Sequence, residues 1–309
     1  QPVPEDYSLE GRSILITGAN SGLGLATARA LARRGARLLL ACRSGIPETA
    51  ETLIAETGNP EIEMLRVDLA DARSVHALCD ELRRRASGER GALDVVILNA
   101  GLVPRRARAG AQGFEVMFSV HVLANQLLMR RLVEDGALRC APAGRPRPRV
   151  VVVSSESHRS GARVAMARVG DYVEYGARDG MKQYATTKLE LCALAAELAR
   201  RGRDDAGAPW LEVHALCPGA VASNIARDAP AWVRPALGAV MRAFFRAPER
   251  PAEPVVALAC SPELAGETGV YLHMLRRKAM DPRATDPAFG RALWERCDEL
   301  LAPHGPAVQ

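Results

Sequence analysis

The chain has 309 residues, 48% hydrophobic and 25% charged, enough to bury an ample core, and with aromatics at 4% that core rests on Ala, Leu and Val. The net charge of +5 does not point to nucleic acid, because the Arg residues are scattered among acids and form no basic stripe interleaved with aromatics. No window approaches ~18 uninterrupted apolar residues, which argues against a membrane span, and the seven Cys (42, 79, 140, 192, 217, 260 and 297) form no CxxC pair, which reads as buried free thiols in a reducing cytoplasm rather than a disulfide framework or a metal site.

Residues 1–11 are a polar, Pro-containing lead-in without the basic and apolar regions of a signal peptide. Ser13-Ile14-Leu15-Ile16-Thr17 is a short run of strand formers that stops at Gly18-Ala19-Asn20-Ser21-Gly22-Leu23-Gly24. Leu25, Ala28, Leu31 and Ala32 then share one helical face. Strand, Gly-rich turn and helix together make a place for a pyrophosphate. Glycines let the backbone approach closely, and a helix N-terminus offers N–H groups and a partial positive charge. The spacing is Gly-x-x-x-Gly-x-Gly, not the Gly-x-Gly-x-x-Gly of the common dinucleotide fingerprint. The next strand, 37–42, is apolar throughout, as a parallel strand covered on both faces should be. It ends in Cys42-Arg43-Ser44. No acid stands there to accept from a ribose 2′-hydroxyl, and Arg43 suits a 2′-phosphate, which favours NADP(H) over NAD(H).

The rhythm continues with a helix over 47–57 and a strand over 61–67 that ends at Asp68-Leu69, placed for an adenine edge. A helix over 74–85 leads to a strand over 93–98 that closes in Asn99-Ala100-Gly101. A helix over 113–135, a loop rich in Pro, Gly and Arg over 136–149, and a strand over 150–153 ending at Ser154-Ser155 follow. Alternating strands and helices without a composition break predict an α/β fold, a Rossmann-type doubly wound parallel sheet in a single domain. Its ligand would bind at the carboxyl ends of the strands.

Tyr184 and Lys188 come next, four residues apart on one face of a helix that continues through Leu189, Leu191, Leu194, Ala195 and Leu198. Glu190, Glu197 and Arg200 fall on the other side. Of 41 basic residues only Lys182, Lys188 and Lys278 are Lys, and a Lys is easier to desolvate and tune than an Arg. An ammonium beside a phenol favours the phenolate, so the pair is either a chance spacing on an amphipathic helix or an acid/base group with a Tyr184 pKa lowered toward working pH.

Thr17-Gly18-x-x-x-Gly22-x-Gly24, Asn99-Ala100-Gly101, Ser155, Tyr184-x-x-x-Lys188 and Pro218-Gly219, in that order, resemble the short-chain dehydrogenase/reductase family over about residues 10–300. Ala41-Cys42-Arg43, Ser154-Ser155-Glu156-Ser157-His158 and the tail from Ser261-Pro262-Glu263-Leu264 to Leu293-Trp294-Glu295 resemble its retinol-dehydrogenase and WW-domain-oxidoreductase-like branch. The resemblance implies that Tyr184 exchanges a proton with the substrate oxygen, that Ser155 hydrogen-bonds that oxygen, and that Lys188 holds the nicotinamide ribose and lowers the Tyr184 pKa. It also implies that Pro218, Gly219, Val221 and Ser223 pack on the nicotinamide. Gly18, Asn20, Ser21, Gly22, Leu23, Gly24, Arg43, Asp68, Leu69, Asn99, Ala100 and Gly101 would line the rest of the cofactor site.

One position departs from the family. Val120-His121-Val122-Leu123-Ala124 carries His121 where the family has an Asn that holds a proton-relay water. A His also holds water and titrates near neutrality. Two readings stay open, a His121-based relay or a slowed, repurposed site. Asn125, one turn on, reads as a surface or packing residue, and His158 as pocket lining or loop structure.

Ser155 and Tyr184 are 29 positions apart, about twice what a compact family member needs, so 156–180 reads as an inserted loop that walls the substrate pocket. Trp232, Val233, Leu237, Val240, Met241, Phe244 and Phe245 recur at near-helical spacing over 225–250. That segment is a lid over an apolar substrate, a membrane-surface patch with Arg234, Arg242 and Arg246, or core packing. The expectation is a cytoplasmic NADP(H)-dependent oxidoreductase acting on a small hydrophobic carbonyl or alcohol, without nucleic-acid, membrane or metal partners, as a homodimer or homotetramer. The alternatives are a non-redox cyclase, epimerase or dehydratase on the same scaffold, and a cofactor-sensing binding protein.

Overall fold

Short apolar runs become the strands of one sheet: β1 (Ser13–Thr17), β2 (Arg37–Cys42), β3 (Ile62–Arg66), β4 (Val95–Leu98), β5 (Arg149–Val153), β6 (Glu212–Cys217), β7 (Tyr271–His273) and β8 (Arg276–Arg277). The computed structural model describes residues 3–4, 6–88, 91–138, 146–176, 179–219 and 252–305. Val221, Ser223, Cys140 and the 225–250 segment lie outside the described residues. The strand order is β3-β2-β1-β4-β5-β6-β7-β8, parallel except for the antiparallel β7–β8 hairpin. The chain builds outward from β1 to β3 and then returns to place β4 beside β1, with Ile14 opposite Val95. That reversal is the switch point where open α/β sheets bind ligands.

Side chains alternate along each strand. Leu15, Val96, Leu98, Val150 and Val152 enter one apolar layer, with α3 (Ala72–Ala86) and α6 (Gly180–Arg201). Ile14, Ile16, Val95, Ile97 and Val151 enter the other, with α1 (Gly22–Ala32), α2 (Glu48–Thr57) and α7 (Glu253–Cys260). This two-residue period with both faces covered is the doubly wound sheet that the apolar runs predicted. The helix expected over 113–135 is divided into α4 (Val116–Phe118), a π turn (Ser119–Leu123) and α5 (Ala124–Glu134). The chain ends in α8 (Pro282–Thr285) and α9 (Pro287–Leu301). The six described Cys are free and buried, as their scattered spacing suggested. Among the described residues no helix is long and apolar enough to cross a membrane.

The helix that carries Tyr184 and Lys188 is deeply enclosed over most of its length. Every residue from Tyr184 to Ala199 of α6 is buried. The sheet covers one side, and α9 approaches the other so closely that a Cβ on Gly290 would stand 3.3 Å from the Ala193 carbonyl oxygen. Glu190 and Glu197, expected on the solvent side, are 3% and 6% exposed for that reason. Glu197 is held by Arg200 and Arg201, whereas burial pushes the Glu190 pKa up to about 8. A carboxyl whose folded pKa is raised contributes stability fully present below its unfolded pKa and lost as pH rises through the folded one. Stability should therefore fall between about pH 4.5 and pH 8. Glu190→Gln should remove that fall, with a gain on the order of 4 kcal/mol at pH 8 and little change at pH 4. Thermal melts of the two proteins across this range check it; parallel curves would contradict it.

Candidate active site

The turns after β1 and β4 are locked to each other. Thr17 Oγ1 accepts from the Asn99 N–H at 3.0 Å and the Ala100 N–H at 3.1 Å, and Asn99 Nδ2 donates to the carbonyls of Thr17 at 2.9 Å and Gly18 at 3.2 Å. Their contact leaves no room for side chains. A Cβ on Gly24 would fall 2.3 Å from the Gly18 carbonyl oxygen and 2.5 Å from Asn99 Nδ2. Gly18 itself has φ +67, in the left-handed region. Ser21 is extended, so α1 begins at Gly22 with the first-turn N–H groups of Gly22, Leu23 and Gly24 at its end. Asn20 Nδ2 donates to the Ser44 carbonyl at 3.1 Å, which holds the turn against the end of β2. A pyrophosphate fits this surface, because backbone donors and a helix end meet over small residues. Arg43 stands just beyond β2 with its side chain 64% exposed, 3.8 Å from the Asp68 carboxylate. Leu69 is buried behind Asp68.

Ser155, Tyr184 and Lys188 meet at the ends of β5 and the neighbouring α6. The Ser155 hydroxyl lies close enough to the Tyr184 phenol to favour its charged form. Lys188 is 3% exposed, donates from Nζ to the Val153 carbonyl at 3.0 Å, and lies 5.6 Å from the centre of the Tyr184 ring. A Cβ on Gly101 would be 3.7 Å from Lys188 Nζ and 3.3 Å from His121 Nε2, so the Asn99-Ala100-Gly101 turn reaches the same spot. Pro218 and Gly219 follow β6 on the other side of β5. The expected lowering of the Tyr184 pKa is not found. Burial pushes it up to about 12 against the lowering influence of Ser155, and burial lowers Lys188 to about 8. The ammonium is bonded to the Val153 carbonyl and stands over the face of the Tyr184 ring, and desolvation of the buried phenol wins. Tyr184 is thus held protonated at neutral pH. Among the described residues no cluster of His, Cys, Asp or Glu is arranged to hold a metal ion.

The family model described as short chain dehydrogenase matches residues 12–167. The chain belongs to the short-chain dehydrogenase family. It is 33% identical to mouse (Mus musculus) retinol dehydrogenase 14 over 307 residues, covering 95% of this chain and 86% of the relative. It is 31% identical to the WW domain-containing oxidoreductase of zebrafish (Danio rerio), covering 95% of this chain and 69% of that protein. Among solved structures, an uncharacterised protein from Mycobacterium paratuberculosis aligns with TM-score 0.68 and 28% identity over 98% of both chains. The resemblance to the retinol-dehydrogenase and WW-domain-oxidoreductase branch is borne out.

In this short-chain dehydrogenase His121 is not a water-holding, neutral-pH titrating group. It is fully buried. Its Nε2 accepts from the Leu102 N–H at 3.0 Å, so the ring proton sits on Nδ1 and is shared with Thr187 Oγ1 at 3.0 Å. Thr187 Oγ1 in turn donates to the Tyr184 carbonyl at 3.0 Å. Both ring nitrogens are used, and burial with the nearby Lys188 charge holds the imidazole neutral. His121 also meets the Tyr184 ring edge to face, with centroids 5.7 Å apart. It therefore ties the turn after β4 to the helix of Tyr184. Asn125 is buried rather than on the surface, and its amide donates to the His121 carbonyl at 2.9 Å and the Val120 carbonyl at 3.3 Å, groups that the π turn leaves for it.

Several residues support the site of this short-chain dehydrogenase through contacts that had no signal in the sequence. Ser157 donates to Ser155 Oγ from its hydroxyl at 2.8 Å and fixes that side chain. His158 is loop structure, with Nδ1 on the Ser155 carbonyl at 2.7 Å and Nε2 accepting from the Asp281 N–H at 3.1 Å. Tyr175, in the inserted loop, joins Tyr184 and Met117 in an apolar cluster with Leu102 and Val103. Its hydroxyl donates at 2.5 Å to buried Glu115, which also caps α4. Only the spacing of the loop, and not its contacts, was legible beforehand.

Proposed function

We propose that the chain is an NADP(H)-dependent oxidoreductase that reduces a hydrophobic carbonyl compound at neutral pH, or oxidises the matching alcohol when the pH is high. The observation that carries this is the meeting of two hydroxyls, Ser155 and Tyr184, beside a buried Lys188 and a backbone cradle that fits a dinucleotide. When bound, the nicotinamide dinucleotide supplies or accepts the hydride. The residues of the chain orient the substrate and handle the proton. Ser155, steadied by Ser157, hydrogen-bonds the carbonyl oxygen, and the pair of hydroxyls stabilises negative charge developing there. Tyr184 then delivers its proton to that oxygen. A phenol pushed up to about 12 is in the right state for reduction and the wrong state for oxidation at pH 7. Lys188, with a pKa near 8, carries its charge at neutral pH, which suits it to bind the nicotinamide ribose hydroxyls.

The apolar character of the substrate is supported by Met117, Tyr175, Leu102 and Val103 around Tyr184 and by a relative named for retinol, an apolar alcohol. NADP(H) is supported by the exposed Arg43, which stands 3.8 Å from Asp68 of the next strand end. The test is aldehyde reduction followed with both reduced cofactors. NADPH should give the higher kcat/KM, and Arg43→Ala should cut the NADPH value about tenfold or more while sparing NADH, as loss of a charge-assisted phosphate bond does. Equal use of both cofactors by the parent protein would overturn the NADP(H) assignment. Self-association through α6 is disfavoured, because α9 covers it and turns Arg291, Glu295 and Glu299 outward.

A further inference from the structure

We infer that the β7–β8 hairpin is an apolar wall of the substrate site and that Met274 at its tip is a specificity-determining residue for the hydrophobic part of the substrate. The inference rests on the oxidoreductase reading above and adds which residue selects the substrate. Three independent observations lead to it.

The first is the backbone. Met274 has φ +54 and is the only non-glycine among the described residues in the left-handed region. Glycine is the residue that adopts this conformation without strain. Strain of this kind persists where a side chain is needed. The second is exposure. Met274 is 54% and Leu275 37% exposed, two of the few large apolar side chains that reach solvent, and they are adjacent. Arg277, one step further from the tip than Arg276, is turned to Glu267 at 2.7 Å.

The third is where the hairpin hangs. The Met274 N–H donates to the Cys217 carbonyl at 2.8 Å. A Cβ on Gly219 would lie 3.2 Å from Met274 Cγ and 3.5 Å from its sulfur, so the thioether lies directly on the Pro218-Gly219 turn. The base of the hairpin is fastened to the Ser155 loop. The Tyr271 hydroxyl donates to Glu156 at 2.9 Å, and Lys278 Nζ binds the other oxygen of the same carboxylate. Glu156 follows Ser155 directly, and three residues after it the Arg159 guanidinium donates to Glu156 at 3.1 Å and also to the Ala279 carbonyl. The hairpin thus bridges the serine that meets the substrate oxygen and the turn expected to pack on the nicotinamide. A substrate held between them has its apolar part against the tip. An unbranched, polarizable thioether adapts its shape to varied apolar surfaces.

Met274→Gly tests the inference, because glycine accepts the local φ and the fold should survive with an unchanged or higher melting temperature. For decanal the variant should lose about tenfold or more in kcat/KM, the scale of several lost apolar contacts, while propanal stays within about twofold. A second readout does not need turnover. Oxidation of Met274 by hydrogen peroxide, followed by peptide mass spectrometry, should slow when decanal is added to protein saturated with NADP+. Equal losses for both aldehydes, or Met274 oxidation that decanal leaves unchanged, overturn the inference. If neither aldehyde is reduced by the parent protein, the oxidoreductase reading fails. Protection of Met274 by decanal would then still uphold the wall, and its absence would still reject it.

Discussion

Tyr184→Phe should lower kcat by about 10²–10⁴-fold, the contribution of a positioned proton donor, while NADPH binds within about twofold of the parent protein. The change removes one oxygen and keeps the ring, which packs on Met117 and Tyr175 and meets His121 edge to face. No neighbour can take over. Lys188 is engaged with the Val153 carbonyl, and both nitrogens of His121 are already bonded. Ser155 would keep its bond to the substrate oxygen, so substrate binding should suffer less than turnover. Stopped-flow or steady-state loss of NADPH absorbance checks the rate, and fluorescence titration checks the binding. A variant within tenfold of the parent rate would mean that Tyr184 is not the proton donor.

Removing the Glu212 carboxylate should have the largest effect on stability. Arg149 and Glu212 begin β5 and β6 side by side, with Nε to Oε2 at 2.5 Å and side chains only 6% and 2% exposed. Arg149 also donates to the Ser261 carbonyl at 2.9 Å, and Glu212 accepts from the Gly266 N–H. The pair thus fastens the sheet to the segment after α7. Glu212→Ala leaves a buried guanidinium without a counter-charge, which costs about 3–5 kcal/mol. The melting temperature should fall on the order of 10 °C. Replacing both partners at once, Arg149→Met with Glu212→Leu, should recover most of the loss, because an apolar pair strands no charge. A single variant that melts within a degree or two of the parent would show that the pair is not buried as described.

The parts of this molecule written in local sequence were legible before the structure. Ser13–Thr17, Arg37–Cys42 and the valines ending at Val153 are continuous apolar runs, and a run covered on both faces is a parallel strand wherever it occurs. The Gly18 to Gly24 turn was legible because close approach excludes side chains, and the fold uses that exclusion to dock Asn99 and Ala100. What failed were quantities set by depth. The Tyr184–Lys188 spacing says that the two share a helical face. It does not say that Met117, Tyr175 and His121 enclose the phenol or that Lys188 is buried against the Val153 carbonyl, and burial reverses the expected pKa shift. Glu190 was placed on a solvent face for the same reason. His121 was read from the residue type, whereas its role follows from the Leu102 N–H and from Thr187, 66 positions away. The Arg149–Glu212 pair and the Glu156 bonds to Tyr271 and Lys278 join positions too far apart in the chain for any pattern to show.

The central claim is that hydride moves between a nicotinamide and a carbonyl carbon in a site where Tyr184 handles the proton. It is tested most directly by reducing an aldehyde such as decanal with NADPH carrying deuterium at the transferable C4 position and examining the alcohol by mass spectrometry. The account predicts one deuterium on the carbinol carbon, with one NADPH oxidised per alcohol formed and no product from Tyr184→Phe beyond about a hundredth of the parent rate. Product without deuterium, or product formed with no NADPH oxidised, would contradict it.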